Sequence, residues 1–431
     1  MRVLFAVYAA KTHFYNMVPL AWALRAAGHD VRVASEPALV PAITRTGLTA
    51  VPVGDEADTP RDEATSGTSW RDLNAGVTET RPEVLTWDYV LGTFTIACSM
   101  HYEHATGGRS MLDDLAGFAR DWRPDLVVWD ALTFAGPVAA QVSGAAQARM
   151  LFGIDYIGRM YCDYARLLAE QPPERRDDPI GDWLAGRLAR FDTAYEPGLA
   201  TEMMTGQWTI DPTPSFMQFP LDLPFRRMRY VPYNGPSDVP EWVRVRPEKP
   251  RVCLTLGMTA RESLGGDLFS VADMLEAVAE LDIELVATLN SEQIAEMPVL
   301  PANVRVVDFV PLNDLLPSCS AIIHHGGFGT LGNAMVHGVP NIIAPGHYWD
   351  EVGFGQALEG RGAGLMLDYR QKAGEGLRSG LDLDGLRTML ARVLDEPSFR
   401  ANSALIREEI EATPSPRDLA RDLERLAAGD R

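Results

Sequence analysis

Apolar residues along the chain fall into short unbroken runs separated by stretches of helical period. Val3–Tyr8 is apolar throughout, without the alternation of a half-solvated strand, and so predicts a strand buried on both faces. A loop over Ala9–Thr12 precedes a helical run that His13 opens and Leu20, Trp22 and Leu24 continue to a cap at Gly28-His29. Pro19 lies beyond the first turn and predicts a local kink. Asp30–Ala34 reads as a second strand, Pro41–Thr46 as a helix stub and Gly47–Gly54 as a third strand. Tyr89–Arg120 predicts helix, Leu126–Trp129 a strand with Asp130 at its C-terminal end, Phe134–Val142 a helix and Ala148–Phe152 a strand. Ile154–Glu202 is amphipathic helix broken by QPPERRDDP, and GQWTIDPTPSFM supplies the last strand and turns of the first half.

The second half restarts the alternation. Val252–Leu256 is a strand, Gly257–Gly266 a polar glycine loop, Leu268–Glu280 a helix, and Glu284–Thr288 and Val304–Val307 are strands. Leu312–Leu316 is a short helix, Asp384 caps a helix to Leu394, and Ser403–Ala412 and Arg417–Ala428 are helices. Strand–helix–strand repetition in both halves predicts an α/β fold: two doubly wound Rossmann-like domains facing a central cleft. The first domain is 1–229, and the proline-rich stretch 230–250 is the linker. The second is 251–410, and 411–431 is a C-terminal helix placed to pack back toward the first.

Composition narrows the partners. The 431 residues are 46% apolar and 23% charged, enough for two cores, and the formal net charge of −20 disfavours nucleic acid or an anionic membrane. Cys98, Cys162, Cys253 and Cys319 are scattered, without metal-ligand spacing, and read as reduced packing residues of a cytoplasmic protein. No run reaches transmembrane length and the N-terminus reads as a strand, so no membrane insertion is expected. Asp55–Trp87 is polar and breaks the pattern; a solvated insertion and a substrate lid or docking surface are equal readings of it.

The stretch with most chemical content is SAIIHHGGFGTLGNAMVHGVPNIIAP, Ser320–Pro345. Ala321–His324 predicts a buried strand, Thr330–His337 a helix closed by Gly338, and Asn341–Ala344 a further strand. Gly326, Gly327 and Gly329 bare the backbone just before the helix. A helix that begins on glycines offers free N–H groups and the positive end of its dipole, which suits a diphosphate. His325 stands where a ring N–H could bond a phosphate oxygen. A tight turn around a core histidine is the alternative.

The matching stretches VPLAWALRAAGHDVRVAS, GLTAVPVG, GQWTIDP, MRYVPYNGP, RVCLTLG, DIELVATL and LLPSCSAIIHHGG cover nearly the whole chain. Through them it resembles the inverting, metal-independent GT-B glycosyltransferases that decorate polyketide antibiotics, in particular the deoxysugar transferases of macrolide and anthracycline pathways. The resemblance implies a dTDP-deoxysugar donor held by the second domain and a polyketide aglycone held by the first. It implies no cofactor and no metal, and no DxD pair stands in a suitable loop. His13 falls on the base that deprotonates the acceptor hydroxyl and Asp130 on the carboxylate that orients it. Taken singly, His13 is more often a capping or surface group, and Asp130 a cap of the helix that follows. The diphosphate falls on His325, Gly327, Gly329 and Thr330, with Thr259 and Met258 near phosphate or sugar. Phe309 and Val310 fall on the nucleobase, a core aromatic at a strand end being an equal reading of Phe309; Asn333 takes the place of a ribose-binding carboxylate. Trp349, Asp350 and Glu351 match the loop that reads sugar hydroxyls. Two carboxylates there suit a protonated amino sugar, against a solvated acidic turn for Glu351. A P450-like auxiliary activator protein and a homodimer are implied partners. C-glycosylation of an aromatic polyketide, a catalytically silent sugar-nucleotide-binding protein and a sugar-nucleotide epimerase stand as alternatives.

Overall fold

The computed structural model describes residues 1–55, 75–97, 111–196, 198–256, 271–278, 281–289, 300–346, 349–367 and 383–429. The chain divides into two compact units: Met1–Thr213 with Gln218–Arg229 and Pro414–Arg431, and Pro214–Met217 with Tyr230–Thr413. Most of the polar stretch 55–87, together with Cys98, Met258 and Thr259, lies outside the described residues.

The first unit is built on seven strands: β1 (Arg2–Ala6), β2 (Asp30–Ser35), β3 (Thr49–Pro52), β4 (Leu126–Asp130), β5 (Ala146–Met150), β6 (Trp208–Asp211) and β7 (Phe225–Arg227). Their order is β3-β2-β1-β4-β5-β6-β7 and every pairing is parallel. Val3, Leu4, Phe5 and Leu126–Trp129 are fully buried, as the unbroken apolar runs require of strands covered on both faces. The strand expected to be the last, β6, has a further neighbour. β7 is only Phe-Arg-Arg, half-buried at the sheet edge, with Arg227 paired to the buried Asp211, so periodicity carries no sign of it. The helix after β1 begins at Lys11, two residues before His13, and runs unbroken through Pro19 to Ala26.

A buried ion pair shapes the edge of this sheet. Arg149 on β5 donates to both oxygens of Asp155 and to Thr209 Oγ1 on β6 at 3.1 Å. Asp155 also caps helix Tyr156–Glu170 by accepting from Gly158 N at 2.8 Å. Charges this deep persist only when paired; both terminal nitrogens of Arg149 are bonded, while its Nε finds no partner among the described residues. Here the pair closes the turn that carries Phe152.

The second unit repeats the plan with β8 (Arg251–Thr255), β9 (Glu284–Thr288), β10 (Val304–Val307), β11 (Ala321–His324), β12 (Asn341–Ile343) and β13 (Gly364–Met366). The order is β10-β9-β8-β11-β12-β13, again parallel. Alternate strand residues feed two apolar layers. Val252, Leu254 and Ile323 enter one, Cys253 and Ile322 the other. Among the described residues no helix is long and apolar enough to cross a membrane.

Candidate active site

In each unit the strand order reverses once, between β1 and β4 and between β8 and β11. Loops diverge at such a point and leave room for a ligand at the carboxyl ends of the strands. His13 lies in the first turn of the helix after β1, and Asp130 is the last residue of β4. Register pairs Ala6 with Trp129, so the two residues emerge side by side although 117 positions apart. His13 Nδ1 is 2.8 Å from Asp130 Oδ2. The other carboxylate oxygen accepts from Leu132 N at 3.0 Å and from the Thr133 hydroxyl at 3.4 Å. Because Nδ1–H donates to the carboxylate, Nε2 carries the lone pair of the ring. The Tyr8 hydroxyl lies 3.0 Å from that nitrogen, and the Phe152 ring packs on the imidazole at 4.1 Å. The His13 side chain is 12% exposed and that of Asp130 2%. An imidazole oriented in this way can accept a proton at Nε2, with the carboxylate stabilising the resulting cation.

In the second unit, His324 ends β11, fully buried. Its Nε2 donates to Asn341 Oδ1 at 2.9 Å, and its Nδ1 accepts from Gly326 N at 3.1 Å. Gly326 has φ +105°, and a Cβ there would lie 3.2 Å from the Glu351 Cα, so only glycine makes this turn. The turn presents His325, whose ring is buried and whose Nδ1 has no hydrogen-bond partner among the described residues. Burial pulls its pKa down to about 4, and that of His324 to about 3, so both rings are neutral near pH 7. The His325 ring lies against Gly327: a Cβ added there would be 2.5 Å from Nε2.

Helix Phe328–Val336 starts at once, with Gly327 as its N-cap and no side chain capping it. It begins two residues earlier than its pattern suggests because Phe328 is pinned between Tyr230 and Phe354. Gly329 therefore sits in the first turn, exposed, where an added Cβ meets no described residue within 4 Å. Thr330 follows, half-buried. The structure thus gathers His325, Gly327, Gly329 and Thr330 at one helix N-terminus. An orphaned buried imidazole nitrogen beside uncapped N–H groups fits an anion.

The other candidate residues fare differently. Phe309, just after β10, is 52% exposed, whereas Val310 is buried in the apolar layer with Cys253 and Val286 and offers no side chain to a ligand. Asn333 is buried. Its amide donates to Gly329 O at 2.7 Å and accepts from Asn234 Nδ2 at 3.2 Å, which ties the stretch after Arg229 to the helix. Its side chain is thus committed to holding the fold rather than turned to a ribose. Trp349 has φ +51°, a strained value for a bulky residue, and Asp350 is the buried N-cap of helix Glu351–Gly360. Glu351 is not in a solvated turn. It is buried, accepts from Gly346 N at 2.6 Å and backs Gly326. Tyr8 and Phe152 figure in the sequence only as the ends of predicted strands and Asn234 only as part of the linker, not as site residues, and the helix from Glu351 is not predicted at all. Tyr8 had one signal: it is the polar-tipped last residue of an apolar run that ends beside His13. Among the described residues no group of three or more His, Cys, Asp or Glu is disposed to hold a metal.

Two family models match the chain: the N-terminal domain of erythromycin biosynthesis protein CIII-like proteins over residues 22–257, and the C-terminal domain over 272–426. The aclacinomycin-T 2-deoxy-L-fucose transferase of Streptomyces galilaeus is 50% identical, covering 100% of this chain and 97% of its own. The 10-deoxymethynolide desosaminyltransferase of Streptomyces venezuelae is 46% identical over 100% and 98%. The crystal structure of glycosyltransferase VinC in complex with dTDP superposes with a TM-score of 0.87 at 44% identity, covering 100% of both chains.

Proposed function

The chain belongs to the erythromycin biosynthesis protein CIII-like glycosyltransferases, and from that premise we propose that it moves a deoxysugar from a dTDP-sugar to a hydroxyl of a polyketide aglycone, with inversion and without a metal. The carrying observation is the His13–Asp130 pair at 2.8 Å at the strand reversal of the first unit. His13 Nε2 takes the proton of the acceptor hydroxyl as that oxygen bonds to the anomeric carbon. The anomeric C–O bond breaks on the opposite face, which inverts the centre, and its electron pair leaves with dTDP. Asp130 stabilises the imidazolium.

The second unit takes the leaving group. First-turn N–H groups of helix Phe328–Val336, the Thr330 hydroxyl and the His325 ring meet the developing diphosphate charge, which supports metal independence. Exposed Phe309 supports stacking on the thymine. Asp350 and Trp349 contact the sugar, and Glu351 braces that loop from within. The oriented His–Asp pair favours catalysis over a silent sugar-nucleotide-binding role.

The test is a panel of dTDP-2-deoxy-L-fucose and dTDP-daunosamine against aclacinomycin T and 10-deoxymethynolide, with and without EDTA. It is run alone and with a P450-like auxiliary protein, which the family resemblance implies. Product NMR reads the anomeric configuration and the atom glycosylated. Transfer unaffected by EDTA and lost in His13→Ala supports the reading. Release of dTDP that ignores the aglycone, or full turnover by His13→Ala, refutes it.

A further inference from the structure

The nitrogen that must take the acceptor proton is already occupied. Asp130 holds Nδ1–H of His13 at 2.8 Å, and the Tyr8 hydroxyl stands 3.0 Å from Nε2. The lone pair of an imidazole nitrogen lies in the ring plane and accepts one good hydrogen bond. Tyr8 is held in place from its other end. Its backbone N–H donates to Thr133 Oγ1 at 3.0 Å, and the Thr133 hydroxyl reaches Asp130 Oδ1 at 3.4 Å. The Tyr8 ring meets the imidazole edge-on, centroids 4.8 Å apart. These contacts close a circuit through Tyr8, Thr133, Asp130 and His13, all within the first unit.

We propose that Tyr8 is a removable cap on this base. Its O–H engages Nε2 while no acceptor is bound and turns aside when an acceptor hydroxyl takes its place. The proposal rests on the reading of His13 as the base. Tyr8 then touches the base but not the reacting bond, so it acts on occupancy rather than on chemistry. Two effects follow. The cap competes with the acceptor and raises its KM. It also denies Nε2 to water. Water deprotonated there would bond to the anomeric carbon as the C–O bond to dTDP breaks, its proton going to Nε2, and the donor would be hydrolysed to free sugar.

The test is Tyr8→Phe, which keeps the ring and its edge contact and removes only the hydroxyl, with Tyr8→Leu as a second apolar replacement. Kinetics use dTDP-2-deoxy-L-fucose and aclacinomycin T, and hydrolysis is read as dTDP release from the donor alone. Loss of one competing hydrogen bond should lower the acceptor KM about three- to tenfold while kcat stays within about twofold. Hydrolysis should rise several-fold, and in a His13→Ala background Tyr8→Phe should leave it unchanged. A large fall in kcat in a folded Tyr8→Phe protein would make Tyr8 a proton relay and overturn the cap. Unchanged KM and hydrolysis would overturn it equally. Transfer that survives His13→Ala is a different failure, that of the base assignment itself.

Discussion

Asp130→Asn is the sharpest test of the first-unit site, because the substitution changes charge and tautomer without changing shape. The introduced amide can keep its oxygen toward Leu132 N and Thr133 Oγ1, which now bond Asp130 Oδ1 at 3.0 and 3.4 Å. Its NH₂ then faces His13 Nδ1, where the carboxylate oxygen stood at 2.8 Å. An NH₂ donor forces the imidazole proton onto Nε2, the nitrogen that the proposed base needs bare. The cation formed in the transition state also loses its counter-charge. For a contact pair at an effective dielectric near 20, that attraction amounts to about 3–4 kcal/mol, or about 100- to 1,000-fold in kcat. The affinity for dTDP, which the proposed function assigns to the second unit, should not move. Steady-state kinetics give kcat, calorimetry gives the dTDP affinity, and thermal unfolding checks the fold. A folded Asp130→Asn enzyme with kcat within about fivefold of the parent would refute the argument that His13 works through Asp130.

Three further outcomes bear on the second unit. Gly327→Ala drives a methyl against His325 Nε2 and should weaken dTDP binding about tenfold or more, while Gly329→Ala, where the described residues leave space, should hold or raise thermal stability by about 0.5–1 kcal/mol yet still weaken dTDP. Calorimetry on the pair decides, and undiminished dTDP binding by Gly329→Ala would remove the backbone from the phosphate site. Phe309→Ala should cost about three- to tenfold in dTDP affinity and nothing in pyrophosphate affinity, which isolates base stacking. His324 and His325 are held neutral by burial, with pKa values of about 3 and 4 against about 6.5 unfolded, so the stability they contribute is present above pH about 6.5 and is lost as pH falls through about 4 for His325 and about 3 for His324. His325→Gln should flatten that acid loss by about 2 kcal/mol at pH 5, read by denaturant titration at pH 7 and 5; identical acid losses in both proteins would contradict it.

What the sequence makes legible is what depends on local pattern. Unbroken apolar runs mark β1, β4, β9 and β11 because strands covered on both faces must be apolar throughout. The parallel order then follows, and with it the meeting of the ends of β1 and β4. Short edge strands escape: β7 and β13 have three residues each, most of them only half-buried, and lack the buried apolar run that marks the equally short β12. Single side chains escape for another reason. Val310 and Phe309 are adjacent apolar residues at a strand end, and only the packing of the neighbouring elements buries one and exposes the other. Asn333 meets Asn234 across 99 positions of chain, a contact no local signal announces. Glu351 looks like surface charge until Gly326 is found against it.

The last stretch of chain belongs with the first. Helix Pro416–Ala427 buries Leu419, Ala420 and Leu423 within the N-terminal unit, and Glu424 reaches His29 at 2.6 Å. Anyone recombining halves of related enzymes therefore has to splice near 229 and again near 414. A hybrid joined only once would carry a foreign tail on its amino-terminal half, with mismatched side chains along an apolar seam.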